Sequence, residues 1–453
     1  MRPPRTLRRF SLRSPDRAWR WLVRKEWREL MSSRAWWVLM FLMGPLVGVS
    51  FISAVRTYAE ESGLGGTAGG VGEAFSPLVG IWAPTFSACE IAAAFLLPFV
   101  AIRLVSGDRQ SGALKLEIQH PMSAFVRIAA KALVLLAGWF LALGAPAIAV
   151  ALWLSYGGSL YWPELAAVLA GHVLNAGLTI ALAAAAASLV EHPSTAAILT
   201  LAVTVGTWII SFIAAVHGGF WERAVDYTPT AMVAQFQHGL VRLDAVLIAG
   251  TLIVAGLMLG GIWMRLGVPV RRRVAESMAL GALTVAGILL CGLAHQSWDT
   301  SENRMNSFSR EDERALRQIR KPLAIEAHLA PEDPRRVDLE HRVFSKLRRT
   351  LPKVQIRYFS TTSIGLFEQT NPYYGEIWYK LDGRSLMSRA TTEEPVLATI
   401  YELAGLKPPE ESAEEIFRGH PLAVPPHGAS MVFYLVWPGF IAVLAFISHW
   451  RKV

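Results

Sequence analysis

A short polar stretch between two long apolar segments holds the residue types best suited to chemistry or to docking. It combines an acid–base pair, a glycine, small and apolar residues, a proline turn, a serine and a lysine, namely Asp108, Arg109, Gly112, Ala113, Leu114, Pro121, Ser123 and Lys131. The pattern predicts a short polar helix, a turn and a second helix entering the next apolar segment. Such an element can dock into a partner's cleft and pass a rigid-body push to the flanking helices. The alternative is an ordinary solvated loop.

No residue pattern predicts catalysis. The eleven histidines are scattered, and the sequence contains neither HExxH nor Gly-x-Ser-x-Gly. No Walker A sequence is present, so ATP hydrolysis by that route would need a separate protein. Cys89 and Cys291 lie in apolar segments and are expected to be free packing residues. We therefore expect no enzyme activity, no cofactor and no bound metal in this chain.

Four polar residues fall inside apolar segments, where such residues are functional candidates. Glu90 lies near the expected outer end of the second segment, where an interfacial position and a substrate contact are both open. His172 and Asn175 lie one helical turn apart and could bond neighbouring helices or bind substrate. Arg103 can extend to the inner membrane surface.

The composition favours a membrane protein. Hydrophobic residues make up 53% of the chain and charged residues only 17%, whereas soluble domains carry about 25% charge. Eight segments are long enough to cross a bilayer as helices. They are 35–55, 86–105, 132–156, 163–189, 194–216, 243–264, 277–296 and 430–449.

Basic residues are concentrated in alternate connections between these segments. Eleven Lys and Arg against three acids precede the first segment, and Arg271 to Arg273 and Arg451-Lys452 follow the sixth and eighth. The positive-inside rule then places both termini in the cytoplasm. The net charge of +9 is explained by this topology, so no nucleic-acid partner is expected.

Residues 297–429 are expected to form a small extracytoplasmic α/β domain. Residues 323–329, 354–359 and 376–381 alternate like strands, while 335–350 and 394–404 have helical spacing. Ser309 and Asp312 predict a capping box, and a proline-rich tether over 407–427 returns the chain to the membrane.

Residues 1–34 form a basic segment whose second half predicts an amphipathic helix on the cytoplasmic membrane surface. Residues 16–31 place Trp19 and Trp27 on one face with leucines and a valine, and Lys25 and Glu26 beside them. Tryptophan favours the headgroup level and arginine favours the anionic inner leaflet. The lipid bilayer itself is therefore an expected partner.

The polar stretch resembles the loop of ABC-2-type permeases, in which an acidic-Arg-x-x-Gly-small-Leu sequence precedes a Pro-x-Ser turn and a lysine. All eight residues of the stretch match, with Asp108 where Glu is commoner and Ala113 where Thr is usual. Lys25-Glu26 resembles the family's interfacial helix, and 226–244 its outer segment. The resemblance covers roughly 20–270 and implies a six-helix exporter half over 35–270. It also implies a homodimer or heterodimer and a separate ATPase that binds ATP and Mg and docks at the polar stretch.

The remainder is similar to the auxiliary domain of gliding-motility-type ABC systems. The similarity is carried by Asn303 to Ser309, with Asn306 in place of Asp, ahead of the strand at 323–329. The predicted fold class is thus an all-α polytopic bundle of six permease helices plus two, with a small α/β domain that meets a periplasmic partner.

The predicted function is the permease subunit of an ABC transporter in a bacterial inner membrane. One alternative is a non-transporting protein that relays ATPase motion to an envelope machine. A membrane enzyme or sensor is disfavoured because no catalytic set is present. The substrate is not readable from the sequence.

Overall fold

The computed structural model describes residues 15–63, 75–117, 122–217, 220–330, 333–351, 353–359, 373–409 and 417–450. The basic segment before residue 15, Pro121 and part of the expected tether lie outside these residues. The α-helices before residue 292 are Pro15–Ser32, Arg34–Gly63, Ala83–Phe95, Leu97–Ser111, Ala113–Glu117, Ala124–Ala142, Gly144–Ser155, Trp162–Leu189, Pro193–His217, Phe220–Val225, Pro229–Gln237, Leu243–Trp263 and Val270–Cys291. The later ones are Arg310–Leu316, Pro334–Leu339, Ser345–Thr350, Glu393–Ala404, Ala429–Met431 and Trp437–Trp450, and π-helical turns cover Leu78–Trp82, Glu340–Phe344 and Val432–Val436.

Eight helical stretches are long and apolar enough to cross a membrane, as the sequence predicts. We number them spans 1 to 8: Arg34–Gly63, Leu78–Ser111, Ala124–Ser155, Trp162–Leu189, Pro193–Ala214, Leu243–Trp263, Val270–Cys291 and Ala429–Trp450. The polytopic helical bundle with a small α/β domain is therefore confirmed.

The boundaries of two spans differ from the sequence expectation. Span 2 begins at Leu78 rather than at residue 86, and span 3 begins at Ala124 rather than at residue 132. Lys131 therefore lies within span 3. A helix can continue past a lysine when the ammonium group is paired inside the protein, and this pairing depends on the tertiary fold.

The core of the bundle is formed by spans 1 to 4, against which span 8 packs. The contact between spans 1 and 8 is close because Gly44 and Gly48 leave room for Trp437 and Phe433; a Cβ at Gly44 would lie 2.1 Å from the Trp437 ring. The Trp437 Nε1 donates a hydrogen bond to the Met40 carbonyl over 2.8 Å. Small residues allow this kind of approach between membrane helices.

The two ends of the bundle have different characters. The basic end holds the interfacial helix Pro15–Ser32 and the connections after spans 2, 4 and 6. It also holds the end of span 8, where the Ser448 hydroxyl bonds the Met31 carbonyl over 2.9 Å. The domain end holds the connections after spans 1, 3 and 5 and the α/β domain after span 7. Because the chain crosses after every span, the even number of spans returns it to the basic end.

The α/β domain contains a four-stranded sheet ordered β4-β3-β5-β6, with β3 Leu323–Ala327, β4 Val354–Tyr358, β5 Ile377–Leu381 and β6 Arg384–Ser388. Strands β3 and β4 are parallel, and the other pairs are antiparallel. The predicted strands β3, β4 and β5 are confirmed. Helices Ser345–Thr350 and Glu393–Ala404 cover the sheet and share its apolar core.

Two local signals explain further elements of this domain. Strand β6 was not predicted, although Asp382 and Gly383 form a two-residue turn with φ of 55° and 78°, the Asp-Gly turn typical of hairpins. Ser309 begins the helix Arg310–Leu316 by accepting a hydrogen bond from the Asp312 amide over 3.0 Å, which confirms the predicted cap.

The domain is joined to the bundle by more than its two tethers. Strand β1 Leu240–Arg242, just before span 6, pairs with β2 Ser297–Asp299, just after span 7. The Glu164 carboxylate of span 4 accepts a hydrogen bond from the Glu302 amide over 2.7 Å. His420 lies 3.0 Å from the Glu302 carboxylate, and its carbonyl accepts a hydrogen bond from Tyr58 of span 1. Span 4 thus bonds the first residues of the domain segment, and span 1 bonds its C-terminal tether.

Candidate functional site: a buried ion cluster at the basic end

The predicted residues Asp108 and Lys131 meet inside the bundle. Asp108 belongs to the last turns of span 2 and Lys131 to the early turns of span 3, and each is 1% exposed. The Lys131 ammonium donates to a carboxylate oxygen of Asp108. It also donates to Glu26 over 2.7 Å and to the Leu104 carbonyl over 3.2 Å. Lys131 therefore joins both spans to the interfacial helix.

Lys25 completes a second set of contacts from the interfacial helix. Its ammonium group lies 2.7 Å from Asp108 and 2.6 Å from Glu117, in the short helix after span 2. It also lies 3.1 Å from Glu26 and, one helical turn further on, 3.1 Å from Glu29. We call Lys25, Glu26, Asp108, Glu117 and Lys131 the ion cluster. The cluster connects the interfacial helix to three consecutive helices at the ends of spans 2 and 3.

Burial and charge set the protonation of the interfacial side of the cluster. Burial raises the pKa of Glu26, and Lys131 and Lys25 only partly offset this effect. Burial alone would lower the pKa of Lys25, but Glu26, Asp108 and Glu117 outweigh burial and raise it. The cluster has three acids and only two bases. Because its pKa is raised, Glu26 is the carboxyl group on this side of the cluster that most readily holds a proton.

The cluster contains its own cations. Oxygen atoms of Glu26, Asp108 and Glu117 lie within 4.8 Å of one another, a spacing that can suit a metal ion. The ammonium groups of Lys25 and Lys131 already contact all three carboxylates. The donor set therefore fits a buried salt-bridge network in which every carboxylate contacts a lysine.

Arg109 points away from Asp108 and contacts span 4. Its guanidinium donates to the carbonyls of Ala187, Ser188 and Val190 over 3.4, 2.9 and 3.2 Å. These carbonyls lie at the end of a helix, where they lack intrahelical donors and where a cation is favoured. Adjacent residues 108 and 109 thus fasten the end of span 2 to the interfacial helix on one side and to span 4 on the other.

The remaining predicted loop residues shape the turn between spans 2 and 3. The segment up to Ser111 continues span 2, which corrects the expected separate polar helix. Gly112 then ends it with φ of 77°, a conformation that favours glycine. Ala113 begins the short helix that ends at Glu117, and Leu114 is buried. Ser123 begins span 3 by accepting a hydrogen bond from the Val126 amide over 3.2 Å.

The interfacial helix is present and amphipathic, as predicted. Ala18, Leu22, Glu26 and Leu30 repeat every four residues and are buried against the spans. Arg20, Arg24 and Arg28 form the exposed stripe. Trp19 and Trp27 are half-buried beside the protein-facing stripe. The helix therefore packs on the bundle along one side and offers a row of arginines on the other.

The intramembrane polar residues lie elsewhere. Glu90 and Asn175 line a cavity of about 530 Å³ between spans 2, 4, 5, 6 and 7. His172 is apart from this cavity: its Nε2 lies 3.3 Å from the Gln237 amide nitrogen, and its ring packs on Phe86 with centroids 5.5 Å apart. The described structure thus brings Glu90 and Asn175 together and places His172 in a helix-to-helix contact.

With this geometry in place, comparison with known families is informative. Residues 20–236 match the model of the ABC-2 family transporter protein. No curated protein matches the chain. The match supports an ABC-2-type permease region over these residues. All residues of the ion cluster fall within this region, whereas spans 6 to 8 and the α/β domain lie beyond it.

Two members of the ion cluster were not recognised as partners from the sequence of the permease region. Glu26 was placed on the interfacial helix without a partner, although its position between Leu22 and Leu30 on the protein-facing stripe implies a buried acid that needs a cation. Glu117 was not singled out. Glu117 pairs with Lys25 of the interfacial helix, and this contact between distant parts of the chain has no local signal in the sequence.

Proposed function

We propose that the chain is the membrane-spanning permease subunit of an ABC transporter, driven by a separate ATPase that docks at the basic end. The single observation that carries this proposal is the ion cluster within the ABC-2 permease region. It ties the interfacial helix to spans 2 and 3 by buried charge pairs, and Arg109 adds span 4. A push on the interfacial helix or on the end of span 2 would therefore move several spans together.

The docking surface is the exposed tip of span 2 together with the arginine stripe of the interfacial helix. Gln110 and Ser111 are exposed at the tip, directly after the buried Asp108. Because Gly112 ends the helix there, the tip is short and held in place by the cluster. ATP and Mg would be bound by the ATPase, and the permease chain would hold no cofactor.

The proposed orientation of the chain in the membrane follows from the distribution of its basic residues. The basic end would face the cytoplasm of a bacterial cell, with both termini inside and the α/β domain outside the inner membrane. ATP-driven closure of paired ATPases requires two permease halves, as a homodimer or a heterodimer. Alternation of these halves between two packings would then export a substrate.

A second candidate function, relay of ATPase motion without transport, is favoured by the joints at the domain end. Glu164 of span 4 and Tyr58 of span 1 both bond the α/β domain or its tether. Movement of either span would therefore reach the domain. In this form the domain, of gliding-motility type, would pass the motion to a periplasmic partner.

The test is ATP hydrolysis by the ATPase that co-purifies with the tagged full chain from its native membrane. Asp108→Ala and Gly112→Pro should insert normally yet reduce the permease-dependent hydrolysis about tenfold, which corresponds to about 1.4 kcal/mol. Gln110→Trp should do the same by blocking the docking surface, since Gln110 is exposed and outside the ion cluster. Asp338→Ala, on the exposed surface of the α/β domain, is the matched control.

Two results would contradict the proposal. One is wild-type coupling in all three variants. The other is a wild-type chain that co-purifies without any protein containing a Walker A sequence. Export and relay are separated by reconstitution into vesicles, because only the exporter would show hydrolysis stimulated by a cargo.

A further inference from the structure

We propose that the intramembrane cavity binds an amphiphile with a protonated amine head and a single alkyl chain. The cavity lies within one chain, between spans 2, 4, 5, 6 and 7. The inference deepens the proposed function, on which it rests only for the reason why the chain would bind such a ligand. The binding itself requires neither the ATPase nor transport. Nothing in the ABC-2 match assigns this site, since spans 6 and 7 lie beyond it.

The size and lining of the cavity suit one alkyl chain. Its volume of about 530 Å³ falls within the roughly 300–1,000 Å³ of small-molecule sites. Leu178 and Leu182 of span 4 face it from one side, Leu252 and Leu259 of span 6 from another, and Leu280 of span 7 closes it. An extended hydrocarbon can therefore lie along the spans in contact with leucine side chains.

The head-group specificity comes from Glu90. Among the described residues that line the cavity, it is the one with a carboxyl group. Its carboxyl group accepts a hydrogen bond from Thr230, whose hydroxyl in turn accepts one from the Trp208 indole over 3.1 Å. Neither partner is a cation. Arg242, which lies over the ring of the lining residue Tyr227, is paired with Asp244.

The depth of Glu90 makes an uncompensated charge costly. Glu90 lies twelve residues after Leu78, the first residue of span 2, which is about 18 Å along a helix. Its carboxyl group is half-buried within the bundle, beside Thr230 of the segment between spans 5 and 6. A carboxylate inside a membrane bundle is expensive unless a cation compensates it. An ammonium head group supplies this cation, and the indole of Trp208 offers a face for it.

A ligand can reach the cavity from the lipid. Span 7 has no buried residue within the described part of the chain, so its outer face is available to lipid. It contributes Ser277, Gly281 and Thr284 to the cavity wall, opposite Thr204 and Thr207 of span 5. Gly281 leaves open space where a side chain would stand. Sideways movement of an amphiphile from the bilayer between spans 5 and 7 is therefore the entry route.

The test uses the purified full chain in phosphatidylcholine nanodiscs and a dodecylamine that carries a photoreactive diazirine in its chain. Diazirine-bearing dodecanol and dodecanoic acid are the matched probes. Labelling is measured against probe concentration at pH 7, where an alkylamine is protonated like lysine. We expect the amine to bind at least tenfold more tightly than the alcohol, with labelled peptides in spans 4 to 7.

Variants distinguish the contribution of the Glu90 carboxyl group from that of the free volume of the cavity. Glu90→Gln should bring amine binding to the level of the alcohol, and Gly281→Phe should reduce labelling by both probes. Glu60→Gln, exposed near the end of span 1, and Gly439→Phe, in an open position on span 8, are the controls and should bind as the wild type.

Equal binding of amine and alcohol, or unchanged amine binding in Glu90→Gln, would overturn the proposal. The first result would indicate a neutral-lipid cavity in which Glu90 is protonated. Because labelling needs no ATP, its failure would leave the coupling results for Asp108 and Gln110 unaffected. Conversely, amine binding by a chain that engages no ATPase would contradict only the permease assignment.

Discussion

At the scale of single residues, the buried charges at the basic end matter most. Lys131 satisfies two carboxylates and one carbonyl within a span, so its removal leaves acids without a cation in a region that excludes water. Breaking such a buried pair costs more than a surface ion pair contributes, because the remaining partner keeps its desolvation penalty. The ion cluster is thus a device for holding helices in one arrangement.

Lys131→Met is predicted to destabilise the bundle by about 3 kcal/mol, because Asp108 and Glu26 lose their shared partner. Asp108→Leu in the same chain should recover part of this loss, since the uncompensated charge is removed. Thermal unfolding of the solubilised full chain, followed by tryptophan fluorescence, gives both values. A double variant whose loss equals the sum of the single losses would show that the two residues do not interact.

At the scale of elements, the start of the second helix in the α/β domain is a capping site. The Asp333 carboxylate accepts hydrogen bonds from the Arg335 amide over 2.9 Å and the Tyr374 hydroxyl over 2.7 Å. Bonds from Arg335 and Tyr374 lower the pKa of Asp333 to about 2. The carboxylate therefore satisfies the first turn of the helix that begins at Pro334 and links it to the segment before β5.

Asp333→Ala is predicted to weaken this helix by about 1 kcal/mol at neutral pH. The folded-state pKa lies below the unfolded value of about 3.9, so the contribution is complete above that value and is lost as the pH falls through 2. The difference in helix stability between the wild type and Asp333→Ala should therefore become smaller as the pH falls through this range. Hydrogen exchange of amides in residues 336–339 measures this difference, with the exposed Glu402→Ala in another helix as control; a difference independent of pH would contradict the carboxylate's role.

At the scale of the whole molecule, the even number of spans and the direct joints to the α/β domain define two distinct ends. The basic end carries the arginine stripe and the ion cluster, and the domain end carries β1, β2 and the four-stranded sheet. Because span 4 bonds the first residues of the domain segment and span 1 bonds the tether, the bundle and the domain are joined at more than one point.

Thiol labelling in intact cells tests the proposed orientation. Gln110→Cys at the basic end should be shielded from a membrane-impermeant maleimide, and Arg384→Cys on β6 should react. Both variants are made with Cys291→Ser, and Cys89 is buried. Reaction after cell lysis is the control for Gln110→Cys. Labelling of position 110 with protection of position 384 before lysis would reverse the orientation and remove the docking proposal.

Much of the fold is predictable from sequence because its signals are local. Apolar length gives the spans, and alternation gives β3, β4 and β5. The sequence also identifies Asp108 and Lys131 as candidate residues. It does not predict their contact, because they lie on different spans and meet each other, Lys25 and Glu117 only through tertiary packing. The start of span 2 at Leu78 was missed because Pro84 interrupts the apolar run, and the turn Leu78–Trp82 before it is a π-helical turn that continues into the helix beginning at Ala83.

The contact between Gly44 and Trp437 has a consequence for biogenesis. The hydrogen bond from Trp437 to Met40 joins residues 397 positions apart. Span 1 is therefore synthesised long before span 8, with which it packs. Meanwhile its glycine groove is open to acyl chains or to a chaperone. Stalling translation before residue 429 should therefore yield a nascent chain that is inserted but still vulnerable to quality-control proteolysis.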